Sequence, residues 1–218
     1  MDAADLIDEL PADRRLALAY APRAARDAVL GLFLLDQRLS RIVSQAREPM
    51  LGQMRLAWWR DRLGEPLDKT PAGEPLLALL SLWGPSRARL ACLVDGWEAL
   101  LGDTLIESTE LEAFAEGRAA GFAALASVLG HDNEVGEATR AGREWALADL
   151  AANLGKSDET GMVLELTQKQ NWHPTRLPRD LRSLAILHGL ARRKRGSGPL
   201  LAGLGDGICA VRLGLFGK

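Results

Sequence analysis

At 218 residues the chain is long enough for one substantial core, and no linker-length Ser/Gly-rich or Pro-rich tract divides it, so a single domain over 1–218 is expected. Hydrophobic residues make up 47% and charged residues 26%; Ala, Leu and Arg are abundant and β-branched residues scarce, a balance that favours helix throughout. A net charge of −2 supplies no global basic field, which argues against nucleic acid as a partner.

Cys92 and Cys209 have neither a CxxC neighbour nor a histidine at metal-ligand spacing, so buried, reduced thiols are expected rather than zinc ligands or a disulfide. The N-terminus, Met-Asp-Ala-Ala-Asp, is acidic where a signal peptide would be basic, and no apolar run approaches the ~20 residues that span a bilayer. A cytoplasmic location is expected, with peripheral membrane contact left open.

In chain order, helical spacing of apolar residues predicts a helix from about Arg14 to Ala46, ended by the Glu48-Pro49 step. Pro49 suits the first turn of a second helix that runs to about Leu63. Thr70-Pro71-Ala72-Gly73 reads as a loop, followed by shorter helices over about 74–83 and 86–101. Ser108 or Thr109 is the candidate cap of a helix carrying Leu111, Phe114, Phe122, Leu125 and Leu129. Another helix is predicted from Glu134 to about Leu154, then a pair over 159–172 and 178–193, and last a Gly-rich tail, Gly203 to Gly217, read as a broken helix.

The most informative stretch is Leu32-Phe33-Leu34-Leu35-Asp36-Gln37-Arg38-Leu39-Ser40-Arg41 followed by Glu48-Pro49-Met50-Leu51-Gly52-Gln53-Met54-Arg55-Leu56-Ala57-Trp58-Trp59-Arg60-Asp61. It resembles the squalene/phytoene synthase family. Leu93-Val94-Asp95-Gly96-Trp97-Glu98, the run from Phe114 to Gly121, Gly142 through Leu154 and Arg176-Leu177-Pro178 extend the similarity, in order, over most of the chain.

The resemblance implies an all-α, single-domain helical bundle of the isoprenoid (terpenoid) synthase type. In that family two aspartate-rich helices face each other across a central cavity and hold Mg²⁺ against the diphosphates of two prenyl substrates. Ionising an allylic diphosphate requires its leaving group to be neutralised, and hard Mg²⁺ held by carboxylates supplies that charge. Here the first set of aspartate positions aligns with Ser40, Arg41 and Ser44, none acidic. The second aligns with Gly142, Ala146, Asp149 and Asn153, with a further position near Ser157 that Asp158 reaches if the alignment shifts. Spacings of four, three and four place Gly142, Ala146, Asp149 and Asn153 on one helical face, able to line a cavity. Asp149 and Asp158 are thus the only candidate metal ligands; no cofactor is expected, and Mg²⁺ enters only if the chain is an active synthase.

Other candidates carry two readings. Trp58-Trp59 packs in the core or walls a prenyl chain. Arg55, Trp59 and Arg62 share a helical face that is either ion-paired surface or a phosphate clamp. Arg38 and Arg41 form structural salt bridges or grip a phosphate without metal. Glu112 and Glu116 read as a solvated helix face, and no triad is legible around His131, His173 or His188. Arg192-Arg193-Lys194-Arg195 complements a helix C-terminus, or touches anionic headgroups.

Three functional readings follow. The first is a catalytically degenerate member that keeps the fold for binding or assembly; resemblance to mitochondrial members that also lack the aspartates implies a role in respiratory complex assembly with a protein partner. The second is an active Mg²⁺-dependent prenyltransferase joining two prenyl diphosphates. The third is a protein that binds isoprenoid or lipid chains without turnover.

Overall fold

The computed structural model describes residues 3–66, 73–102, 106–154, 158–196 and 198–217. All regular structure among them is helical: α1 (Ala3–Asp8), α2 (Ala12–Ala19), α3 (Arg23–Gln45), α4 (Pro49–Gly64), α5 (Pro75–Leu80), a 3₁₀ segment (Ser81–Leu90), α6 (Ala91–Glu98), α7 (Ser108–Val128), α8 (Val135–Asn153), α9 (Asp158–Gln168), α10 (Arg182–Lys194) and α11 (Leu204–Phe216). No helix is long and apolar enough to cross a membrane, among the described residues.

The predicted 14–46 helix is two helices. Pro22 at φ −58°, ψ 153° caps α3, and because the α region is disfavoured for a residue before proline, α2 ends at Ala19 and the chain turns. That turn lets α2 fold back over α3 and brings Arg14 into the molecule. Pro49 opens α4 as expected, and Arg87, 1% exposed, closes its other end by donating to the carbonyls of Glu65 and Leu63 at 2.5 and 3.4 Å.

The break expected between helices over 74–83 and 86–101 falls at Gly84, left-handed at φ 54°, and Pro85, but a 3₁₀ stretch takes up the flanking turns on both sides, so α5 and α6 are shorter than predicted. The loop at 70–72 lies outside the described residues. The α7 cap is neither Ser108 nor Thr109 but Glu107: its carboxylate and that of Glu110 reciprocally accept backbone N–H groups, an acidic version of the capping box. The helix predicted over 159–172 stops at Gln168, and the 178–193 helix starts as a 3₁₀ turn, Arg179–Leu181, before α10. The Gly-rich tail is not broken: α11 is continuous and ends where Gly217 turns left-handed at φ 73°.

Helices α3, α7 and α8 form the centre. Phe33, Phe122 and Trp145, one from each, stack edge to face with centroids 6.4 and 5.3 Å apart. Helix α6 crosses α7 at Gly96 and Gly117, where a Cβ on Gly117 would lie 2.5 Å from the Cys92 carbonyl and 2.7 Å from the Gly96 Cα. This close crossing seats Trp97 against the core and towards α3.

Candidate functional site

A cavity of about 600 Å³ opens between α2, α3 and α8, with residues 199–201 along its rim. Helix α3 contributes Gln37, Ser40 and Ser44; α8 contributes Asp149 and Asn153; α2 contributes Asp13 and Arg14; Leu100, Ile106, Leu150 and Leu200 supply apolar wall. Ser40 and Ser44 therefore meet Asp149 and Asn153 across one cavity, whereas Gly142 and Ala146 of the same expected stripe do not line it: Gly142 packs against Phe122 and Ala119, and Ala146 is fully buried.

Arg14 and Asp149 of the cavity wall continue inward into a buried charge network, of which the sequence pointed to Asp149 alone. Asp36 sits in the middle of α3, 3% exposed, and both its oxygens accept from Arg118 of α7, Oδ1 from Nε at 3.0 Å and Oδ2 from Nη2 at 2.7 Å. Trp97 Nε1 donates to the same Oδ1 at 2.8 Å. Asp149 Oδ2 accepts from Arg14 Nη2 at 2.8 Å and lies 2.9 Å from Arg118 Nη1, while Arg14 also stands 3.4 Å from Asp36. Two aspartates are thus cross-linked by two arginines, all 6% exposed or less. The Arg118 guanidinium lies 3.9 Å over the Trp145 ring, which adds a cation–π contact in the dry interior.

Burial by itself would raise the Asp36 carboxyl, but the Arg118 and Arg14 charges, with hydrogen bonds from Arg118 and Trp97, hold it below the ordinary carboxylate value. Burial likewise opposes the charge on Arg14, yet Asp149 and Asp36 outweigh it and raise the guanidinium further. Asp13, at the cavity edge, shifts the other way: burial and then the Asp149 charge push its carboxyl up, more than Arg14 pulls it down.

The donor set does not fit Mg²⁺. The ion needs a near-octahedral shell of oxygens at about 2.0–2.1 Å. The Asp149 oxygen facing the network is shared by two guanidiniums, its other oxygen accepts from Asn153 Nδ2 at 3.3 Å, and α3 presents the hydroxyls of Ser40 and Ser44 opposite. Among the described residues no group of three or more His, Cys, Asp or Glu could hold a metal. Ser157 and the Asp158 side chain lie outside the described residues.

The remaining candidates are placed elsewhere. Arg38 and Arg41 do not line the cavity; both are spent on Glu9, Arg38 with paired bonds of 2.8 and 2.9 Å and Arg41 at 3.0 Å plus the Glu9 carbonyl at 2.9 Å. They clamp the α1 end onto α3. Trp59 packs in the core at 5% exposure, edge-on to Trp58, while Arg55 points to solvent and Arg62 pairs with Glu65 at 2.7 Å. Glu112 and Glu116 are exposed, and Glu116 pairs with Arg143.

His188 has the acidic partner that its sequence neighbours lack: its Nε2 lies 2.5 Å from Glu144 of α8, which Arg140 also holds, all outside the central cavity. His131 bonds Asp180 at 2.9 Å. Cys92 and Cys209 are unpaired thiols, and burial pushes Cys92 up to about 11.

What could have flagged the network is a charge embedded in an apolar run: Asp36 follows Leu32 to Leu35, and Arg118 is flanked by Gly117, Ala119 and Ala120. Long-range pairing, over 82 residues for Asp36 with Arg118 and 135 for Arg14 with Asp149, left no local spacing signal.

No curated protein and no solved structure matches the chain. A family model, squalene/phytoene synthase, matches residues 12–164, the span from α2 into α9 that carries most of the cavity lining and the buried charge network. Fold and match agree: with an all-α fold of the isoprenoid synthase type, the chain belongs to the squalene/phytoene synthase family.

Proposed function

We propose that this family member binds an isoprenoid or lipid chain in its central cavity without turning it over. The observation that carries the reading is the Arg14–Asp149–Arg118–Asp36 network: cations belonging to the chain itself neutralise Asp149, the acidic residue at the aligned metal positions, together with its neighbour Asp36. A diphosphate without metal ions beside it keeps a poor leaving group, so ionisation of an allylic substrate lacks its driving charge. The cavity's apolar walls suit the hydrocarbon part of a ligand, and its volume of about 600 Å³ is that of a single-ligand pocket.

The test uses farnesol and farnesyl diphosphate in a calorimeter, with and without Mg²⁺, while released diphosphate is assayed. Farnesol is expected to bind without metal, farnesyl diphosphate to remain intact, and Ser40→Phe, which fills the cavity from α3, to abolish farnesol binding. Mg²⁺-dependent diphosphate release would overturn the reading in favour of an active prenyltransferase.

A second reading, assembly through a protein partner, is favoured by one observation: Met50, Met54 and Trp58 recur every four residues on α4 and are 70, 65 and 40% exposed. It predicts that Met54→Glu with Trp58→Glu fails to complement a deletion strain while farnesol binding persists. Full complementation would remove it.

A further inference from the structure

The family match ends at residue 164, yet the chain continues into α10 and α11, and a second cavity of about 650 Å³ lies between these helices and residues 174–177. The hairpin is pinned at both ends. Asp206 at the start of α11 takes Arg193 at 3.0 Å and Lys194 at 2.9 Å from the end of α10, and Arg182 Nη1 donates to the Leu213 carbonyl at 3.4 Å.

Four arginines line this cavity, Arg176, Arg182, Arg192 and Arg212, and among the described residues no carboxylate does; His188, which also lines it, is held from behind by the buried Glu144. Neighbouring cations have anionic partners: Arg193 and Lys194 share Asp206, and Arg140 holds Glu137 and Glu144. The four lining arginines make no ion pair among the described residues. Like charges gathered in a concave, partly desolvated space repel one another, and an anion placed among them turns that repulsion into attraction.

Two details make this more than a basic surface. Arg182 Nε has no acceptor, while Nη1 of the same guanidinium donates to the Leu213 carbonyl, so the group is fixed in place with donor capacity left over. Gly217 is left-handed at φ 73°, and a Cβ there would fall on the Arg182 guanidinium; glycine at this position leaves the guanidinium its room.

We propose that the α10–α11 cavity binds a phosphomonoester or diphosphate group, with Arg176, Arg182, Arg192 and Arg212 as its donors. The planar guanidinium fork matches phosphate oxygens two at a time, which a cluster of lysines would not do. The volume exceeds a bare phosphate, and Leu213 and Phe216 supply an apolar side for the organic part of the ligand. The site is independent of the central cavity, being built by residues outside the family match.

The probe is inorganic pyrophosphate, titrated calorimetrically at low salt into the full chain and into Arg176→Gln/Arg212→Gln, whose two positions are exposed and do not threaten folding. The double variant is expected to bind at least tenfold more weakly, and Ser40→Phe to bind as the parent does. Flotation with phosphatidic acid vesicles against phosphatidylcholine vesicles then separates sources: recruitment that pyrophosphate competes away assigns a lipid headgroup, and pyrophosphate binding without recruitment assigns a soluble phosphate. Absence of pyrophosphate binding, or binding that the double variant leaves unchanged, overturns the proposal.

Discussion

Arg118 is the residue on which the buried charge balance turns, because it lies 2.7 Å from Asp36, 2.9 Å from Asp149 and 3.9 Å over the Trp145 ring, nearer than Arg14 to both Asp36 and the ring. Removing one member of a buried ion network leaves an uncompensated charge, typically about 3–5 kcal/mol of destabilisation. Arg118→Ala is therefore expected to lower the denaturation midpoint by that much, and restoring neutrality with Asp36→Asn in the same chain should recover part of it; a fully additive double variant would contradict the coupling. Asp13 and Asp36 titrate in opposite senses. Asp36, held below its ordinary value near 3.8, contributes stability that is present above that value and is lost as pH falls through its folded one. Asp13, raised above 3.8, contributes stability that is fully present below 3.8 and is lost as pH rises through its folded value. Asp13→Asn should thus raise the melting temperature at pH 7, with the gain vanishing below pH 3.8; a loss of stability at pH 7 would show that the carboxylate serves the fold in another way.

Among the elements, the α6–α7 crossing depends on two glycines meeting. A methyl at Gly117 has backbone on two sides, the Cys92 carbonyl and Gly96, neither of which can rotate away. Overpacking of this kind costs about 1–3 kcal/mol, so Gly117→Ala is expected to unfold earlier in urea by roughly that amount. It should also shift Trp97 off Asp36, readable as a change in tryptophan fluorescence that an unstrained surface Gly136→Ala control does not show. Proline accounts for the chief departure from the predicted helices: apolar periodicity runs through Ala21-Pro22 without a break, yet the α region is disfavoured before a proline, and α2 ends at Ala19 before α3 starts at Arg23. The Gly-rich tail erred in the other direction. Its apolar residues still pack Ala210 and Leu213 against the rest of the protein, and tertiary burial outweighs the low helix propensity of its glycines.

For the whole molecule, a ligand that enters the central cavity of the folded chain alone stabilises it by mass action, about 2.7 kcal/mol at a hundredfold excess over Kd. For a domain of this size each kcal/mol is worth roughly 2–4 °C in Tm. Farnesol at saturating excess should accordingly raise Tm by about 5–10 °C in the parent and by nothing in Ser40→Phe; an equal rise in both would place the alcohol elsewhere. The thiols give a check on the same packing: with Cys92 pushed up to about 11 by burial, its labelling by a thiol reagent at pH 8 should be slow in the folded chain and fast in denaturant.

The sequence by itself determined the helical class and most helix positions, because these rest on period and on local motifs, and its motifs carried the family resemblance that implied Ser40 and Ser44 opposite Asp149 and Asn153. It also showed that acidic residues are missing from Ser40, Arg41 and Ser44. Only the tertiary structure decided what became of the charges that are present: Arg38 and Arg41 going to Glu9, Asp149 and Asp36 to Arg14 and Arg118, His188 to Glu144, and four arginines to a cavity of their own. A helix writes its own face in residues three and four apart, whereas an ion pair between helices depends on which faces meet, and that is set by how the whole core packs.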